Sequence, residues 1–515
     1  FRIIVMFYRK TKNMHSDTKE YFTRVVILFF VVCSVITAIY VLFVPPRPGV
    51  ADQGDFQRVM DVTGLKDKEI PKEELDSLFF KYVKSEYIMT PVSPLRFFGI
   101  IPTTSMIYPI TAAKILCRIF GSEFFNTEVL AFVYAVMYIT ALALCIKWLA
   151  PGNKALTAFS AVFSLFILLD GNYLVWFNSL YGEPMMIIGL MLFAASVLNI
   201  SNKMGSVNRK DLIFAVISSV LFLGSKAQCI SALPIVIIML VRIFSLKYKR
   251  QRYILPKKVL FPIILIVFYT LGFYIQINST CGVDTKYNTV FYGILKDSEN
   301  PEKDLEMLGL NTDMAVEAGK HAYLPSNQYE KYAPWSDLTL EEFNRKISYF
   351  KIIGFYLRNP GRLIKGMEYT ASQSFQTATS LGKYKKTDVA EYTYLFGRLT
   401  FWSDLRSRFL PKKLLFIVTF YVLFMSVTAA GYIKTRSIEE KLKTELIWFI
   451  AVTGIFQFPM PYLGNGQADT AKQLFLFNFT FDILIILALS FILQSAARLM
   501  EKAAKTFRAE RIPGN

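Results

Sequence analysis

FTRVVILFFVVCSVITAIYVLFV, residues 22–44, is an almost unbroken apolar run whose one charge, Arg24, stands near its start. A bilayer core about 30 Å thick needs roughly 20 apolar residues as helix to cross it, and this run is long enough. It is too long for a cleaved signal peptide and lacks a small-residue cleavage site, so it reads as an uncleaved anchor. Outward from it, similar runs recur at 124–148, 155–170, 183–200, 211–225, 227–245, 259–278, 413–433, 444–463 and 473–495. That makes ten expected spans and an all-α integral membrane bundle. A further apolar stretch, 97–120, is broken by Pro102 and Pro109 and reads as an interfacial or re-entrant helix, or as an eleventh crossing. Composition agrees: 53% of the 515 residues are hydrophobic and 15% aromatic, with a mean hydropathy of +0.37, as expected of a membrane chain.

The net charge is +19. Ten spans put six segments on one side: 1–21, 147–154, 200–211, 242–258, 434–443 and 496–515. Together these carry the whole +19, so everything else sums to zero. Loop 171–182 on the opposite side has no Lys or Arg, and loop 464–472 has only Lys472. The positive-inside rule then puts both termini in the cytoplasm of a bacterial cell. The basic balance is a topology signal and gives no reason to invoke nucleic acid. The five cysteines show no C-x-x-C spacing and fall mostly in apolar runs, which argues against a disulfide framework or a zinc site. With His15 and His321 the only histidines, chemistry must rest on carboxylates, Lys, Arg and Tyr.

Three regions follow: an N-terminal membrane module 1–278 with a first external loop 45–123, an external loop 279–411, and a C-terminal membrane module 412–515. In the second loop, Thr339–Glu342 has the form of a capping box opening a helix, with Phe343, Ile347, Phe350 and Phe355 near one face. Asn359-Pro360 ends that helix, and a second is expected over about 361–376. Both read as amphipathic helices against the outer leaflet.

Four polar clusters fall on the external side. VPPRPGVADQGDFQRVM, after the first span, holds Asp52 and Asp55 behind a stiff Pro-rich exit. A carboxylate there suits general-base work, although Asp beside Gly54 is also plain turn chemistry. LLDGNYLVWFNSLYGEPMM groups Asp170, Asn178, Tyr181 and Glu183 with Trp176. Rings, amides and carboxylates are what a sugar site uses, and equally what an aromatic belt and a helix start contain. Lys226 lies between two spans, where it would meet a lipid phosphate as a point charge or snorkel to the interface. In GNGQADTAK, Asp469 is a candidate helix cap and sugar ligand, and Lys472 a second phosphate ligand. Asp482, deeper in the same span, reads as structurally paired.

On the segments DQGDFQRVM, FNSLYGEP, GSKAQ, YGILKDSENPEKDLEMLGL and ADTAKQLFLFN, in this order, the chain resembles the GT-C membrane glycosyltransferases. Within them it is similar to the bacterial hexose transferases of surface-glycan biosynthesis, the WsfD type. The resemblance implies a polyprenyl-phosphate-linked sugar donor, a cell-surface glycan acceptor, a general base in the first external loop and cations on the donor phosphate. Asp55 followed by Arg58 fits the base-to-arginine spacing of related aminosugar transferases, which favours Asp55 over Asp52 as base and adds Arg58 to the phosphate ligands. Lys226 and Lys472 are the other two. Asn178, Tyr181, Glu183, Asp170 and Asp469 are expected on sugar or acceptor. D-x-x-D departs from the adjacent acidic pair of that family, so the choice between Asp52 and Asp55, and the use of a divalent cation, stay open. A lipid-linked oligosaccharide flippase or exporter, or a non-catalytic partner subunit, are the other readings.

The charge pattern makes the topology testable. A cysteine introduced in 279–338 should react with a membrane-impermeant thiol reagent in intact cells, and one in 247–252 should not. The reverse labelling would turn the polar clusters to the cytoplasm.

Overall fold

The computed structural model describes residues 2–69, 71–248 and 257–510. Part of the basic segment 242–258, at 249–256, lies outside the described residues.

Among the described residues, eight helices are long and apolar enough to cross a membrane: Glu20–Leu42, Thr127–Leu149, Glu183–Asn202, Ala227–Lys247, Leu260–Ile277, Leu414–Lys434, Ile438–Asn465 and Phe475–Ala496. Lys154–Leu168 and Gly171–Phe177 form a pair bent by 62°, a ninth span if counted as one. The bend follows from local chemistry: Asp170 stops the first helix and its side chain accepts from Asn172 N–H, capping the next. Nine of the ten expected runs are thereby accounted for. The remaining run, 211–225, forms a helix of only 15 residues, Arg209–Leu223, about 22 Å long. It packs along Glu183–Asn202 so closely that a Cβ on Gly189 would lie 2.6 Å from Phe222 Cα.

The stretch 97–120 makes no crossing. It yields a 13-residue helix, Ile107–Ile119, with Ile115, Ile119 and Phe120 exposed, as an interfacial helix would have them. The buried Lys114 on its inner face donates to the carbonyls of Thr63, Gly64 and Thr90 at 2.6–3.2 Å. These tie the helix to a small antiparallel sheet of Leu65–Lys66, Glu86–Met89 and Phe124–Asn126, with Leu65 opposite Met89 and Tyr87 opposite Phe125. The loop between the first two spans is therefore not wholly helical.

The second external segment has its own core, built on Tyr287, Phe291, Leu305, Met314, Tyr332, Phe343 and Phe355 and closed by Tyr462 from the other membrane module. Buried Glu317 fastens it, accepting from the N–H groups of Glu330, Lys331 and Tyr332 at 2.8–3.0 Å. The expected helix from Thr339 is broken in two. Ser336 caps a short turn, and Ser348 caps a new helix, Tyr349–Arg358. That restart turns Phe350 outward, 88% exposed, while Phe343, Ile347 and Phe355 stay buried. Pro360–Ser372 follows the Asn359 break as expected.

A strap from 376 to 400 threads back over the first loop. Gly49 N–H donates to Lys383 O and Ala51 N–H to Gly382 O, both at 2.9 Å. Gly382 is required there, since a Cβ would lie 1.8 Å from Lys81 O.

Behind the strap, Phe401–Phe409 carries Arg406 into the bundle. Arg406, Asp482 and Tyr173 are fully buried. Arg406 pairs with Asp482, and Tyr173 donates to Asp482 at 2.6 Å while accepting from Arg406 at 2.6 Å. Removing one member of a buried pair strands the other charge, which typically costs about 3–5 kcal/mol, whereas replacing both with apolar groups is often close to neutral. Arg406→Met should therefore lower the thermal midpoint sharply in detergent, and Arg406→Met with Asp482→Leu should recover most of the loss. A double variant no better than the single one would mean that the pair is not what holds this helix.

Candidate functional site

The site begins with how DQGD folds. Asp52 Oδ1 accepts from Gly54 N–H at 2.8 Å and Phe56 N–H at 3.2 Å, so Asp52 caps the helix Phe56–Thr63. The residue at the helix start, Asp55, makes no capping bond and its carboxylate is left to face outward. Phe56 anchors the helix edge-on against Tyr181, 4.8 Å between ring centres. The Tyr181 hydroxyl accepts from Gln53 N–H at 3.2 Å and donates to Ala51 O at 2.9 Å.

Around Asp55 the chain collects cations from distant segments. Lys472, only 5% exposed, is ion-paired with Asp55 and sits 4.4 Å over the Tyr181 ring. Arg58, one helical turn on, lies 3.5 Å from Asp55 and 3.9 Å from Asp284. Lys226 pairs with the fully buried Glu183 at 2.6 Å. Burial alone would raise the Asp55 pKa, but Lys472, Arg58 and Lys226 outweigh it and hold the carboxyl well below its ordinary range. Lys472 is held above the usual lysine range: burial opposes its charge, and the Asp55, Glu183 and Asp469 carboxylates overcome that. Asp52 goes the other way. Burial pushes it up to about 6, against the two backbone N–H bonds that favour its ionised form.

Asp55, Arg58, Glu183 and Lys226 line the polar end of a cavity of about 390 Å³. Most of the remaining wall is apolar, built from Val59 and Val62, Phe273 and Ile277 of the span Leu260–Ile277, Ile352 and Ile353 of Tyr349–Arg358, and Met460 and Leu463, with Gln228, Gln276 and Gln473 among them. A second, more polar group stands beside Asp55. Gln53 donates from Nε2 to Asp469 at 2.8 Å, and Tyr323 donates to Asp284 at 3.0 Å. Asp469 has φ 51°, a left-handed backbone uncommon outside glycine and a form of strain found at functional sites. Burial raises Asp284, with Arg58 pulling it back.

The structure thus brings together Asp52, Asp55, Arg58, Tyr181, Glu183, Lys226, Asp469 and Lys472. Two expected sugar ligands lie elsewhere. Asp170 is buried and accepts from Asn172 N–H and from Ser403 N–H and Oγ. Asn178, also buried, is tied to Thr127 and to Pro48 O. Both are held by the protein's own polar groups, because a buried carboxylate or amide must be satisfied. Three other roles shift. Lys472 is taken up by Asp55 and is not among the cavity-lining residues, Glu183 serves as counter-charge to Lys226, and Asp469 caps no helix with its side chain. Asp284 and Tyr323 were not singled out from sequence. The one available signal was Asp284's place just past a span, like that of Asp52. Among the described residues, no group of three or more His, Cys, Asp and Glu is placed to hold a metal ion.

Asp52 gives a pH signature with a definite sign. Its folded pKa is raised, so the folded state holds the proton more tightly than the unfolded chain, and its contribution to stability falls as pH rises from about 4 to about 6. Asp52→Asn keeps an acceptor for Gly54 and Phe56 without the titration. The variant's thermal midpoint should gain on the wild type across that window and run parallel above it. A constant or shrinking gap would contradict the burial of this carboxyl.

A family model described as the YfdI N-terminal transmembrane domain matches residues 9–511. No curated protein and no solved structure matches the chain.

Proposed function

As a member of the YfdI N-terminal transmembrane domain family the chain is a multi-span membrane protein, and we propose that it transfers a hexosyl group from a polyprenyl-phosphate donor to a cell-envelope glycan on the outer face of the bacterial cytoplasmic membrane. The observation that carries this reading is a cavity with two chemistries. Asp55, Arg58 and Lys226 stand together on its lining, and most of the remaining wall is apolar. A lipid with a phosphate head and a hydrocarbon tail has that same division.

In this reading Lys226 and Arg58 hold the donor phosphate and Lys472 holds Asp55. Asp469, Gln53, Tyr323 and Asp284 meet acceptor hydroxyls. Asp55 takes the proton of the attacking hydroxyl. The hydroxyl oxygen bonds to the anomeric carbon as the carbon–oxygen bond to phosphate breaks, and polyprenyl phosphate leaves with inversion at that carbon. Paired with Lys472 and Arg58 and within the field of Lys226, Asp55 is ionised but a weak base. A bound phosphate draws on Arg58 and Lys226, loosens their hold on Asp55 and so raises its basicity. The same cations stabilise the charge that builds on the leaving phosphate. Asp52 shapes the turn and does not reach the cavity lining.

The test is purified protein with lipid-linked hexose and glycan acceptor. Acceptor-dependent release of polyprenyl phosphate is expected; translocation without release would make the chain a flippase. Asp55→Asn should cut turnover by about 10²–10⁴-fold and also destabilise the fold by stranding Lys472. Asp55→Asn with Lys472→Met separates the two effects: the thermal midpoint should return and turnover should not. Near-normal transfer by the stable double variant would remove Asp55 from the chemistry.

A further inference from the structure

We infer that the bundle holds a second lipid site, for an anionic two-chain phospholipid, in the cavity between the spans Leu414–Lys434 and Phe475–Ala496. It is independent of the site around Asp55 and of the activity proposed for it.

The cavity is about 620 Å³, larger than the one beside Asp55. One wall is Phe420, Leu423, Phe424 and Val427, and the facing wall is Leu487 and Phe491. The span supplying the first wall is loosely embedded. Only 11% of Leu414–Lys434 is buried inside the protein, against 94% of Glu183–Asn202. An empty apolar cavity destabilises in proportion to its volume, and apolar walls give water too few partners to fill it. Within a bilayer the matter at hand is an acyl chain, which restores the dispersion contacts that the cavity lacks.

The rim says which lipid. Lys443 and Thr444 line the cavity at the start of the span Ile438–Asn465. Leu149 and Leu156 line it too, and they flank a loop bounded by Lys147 and Lys154. Lys434, Arg436 and Lys441 follow in the adjoining turn. The opening thus lies among the basic segments 147–154 and 434–443. Among the described residues Lys443 pairs with Glu439 at 2.8 Å, a pair whose carboxylate is 40% exposed, and so remains available to a phosphate. Basic pockets between spans at this edge of a bilayer recruit anionic head groups. A second observation points inward. Ser490, 2% exposed, lines the cavity and its hydroxyl has no hydrogen-bond partner among the described residues. An ester or glycerol oxygen of a phospholipid would satisfy it, which a plain hydrocarbon chain would not.

The experiment uses the full chain, delipidated in neutral detergent, with bound lipid counted by native mass spectrometry. Phosphatidylglycerol should be retained in preference to phosphatidylcholine and should raise the thermal midpoint more. Val427→Trp, which fills the cavity, should abolish this retention. Lys443→Gln should cut the preference for phosphatidylglycerol about fivefold, the effect of one basic group at a membrane surface. Equal retention of the two lipids by the wild type would overturn the inference, with no variant needed. So would undiminished retention by Val427→Trp, or displacement of phosphatidylglycerol by polyprenyl phosphate at equal concentration.

Discussion

A lysine ammonium in a nearly closed site needs a carboxylate beside it, and Lys472 finds one in Asp55. The pair joins the loop after the first span to the turn before the span Phe475–Ala496, and much of the surrounding structure is arranged to permit it. Tyr181 lies beneath the ammonium and orients the DQGD turn through its hydroxyl. Asp52 takes over the capping work at the helix start, leaving Asp55 unencumbered. The strap at 382–383 pins the backbone leading into the turn. Arg406 and Asp482 hold the next layer down, fixing the base of the strap to the same span. Two ion pairs therefore fasten these segments to one helix and to the turn that leads into it. A buried pair is a poor source of net stability but a strict condition on geometry.

The cavity beside Asp55 inherits its character from that arrangement. Its polar end is built from loops, and its apolar walls from spans and from the external helix Tyr349–Arg358. The external helix shows why a segment outside the bundle is so apolar. Ile352, Phe355 and Tyr356 bury one face against the external core, while Phe350, Ile353 and Leu357 stay exposed on the other. A helix apolar on both faces belongs between a protein surface and lipid.

Much of this was legible in the sequence. Hydropathy located each helix that is long enough to cross, because a span is a local property of about 20 residues. At 211–225 the apolar composition gives a helix of only 15 residues, shorter than the other expected spans. Asp55 was legible from its place behind the Pro-rich exit of the first span, and Arg58 from the spacing that the resemblance implies. Asp170 and Asn178 looked alike to reactive groups because a buried cap and a sugar ligand use the same side chains. What separates them is whether Ser403 and Thr127 stand opposite, which is a long-range fact. Asp284 and Tyr323 come from a separate external core, and no local pattern ties them to Asp55. The broken helix at Ser348 was missed because a capping serine inside an apolar run competes quietly with the periodicity around it.

The distance in sequence between Asp55 and Lys472 bears on how such a protein is made. The ribosome delivers Asp55 and Arg58 early, and Lys472 some four hundred residues later, after seven of the eight long spans have emerged. Until then the DQGD turn has no ammonium to close on, and Tyr181 has nothing above its ring. A chain stalled midway through insertion would carry Asp55 and Lys226 without the group that locks them in register. Completion of the site is thereby coupled to the arrival of the helix that begins at Phe475, so a half-inserted chain is an inert one.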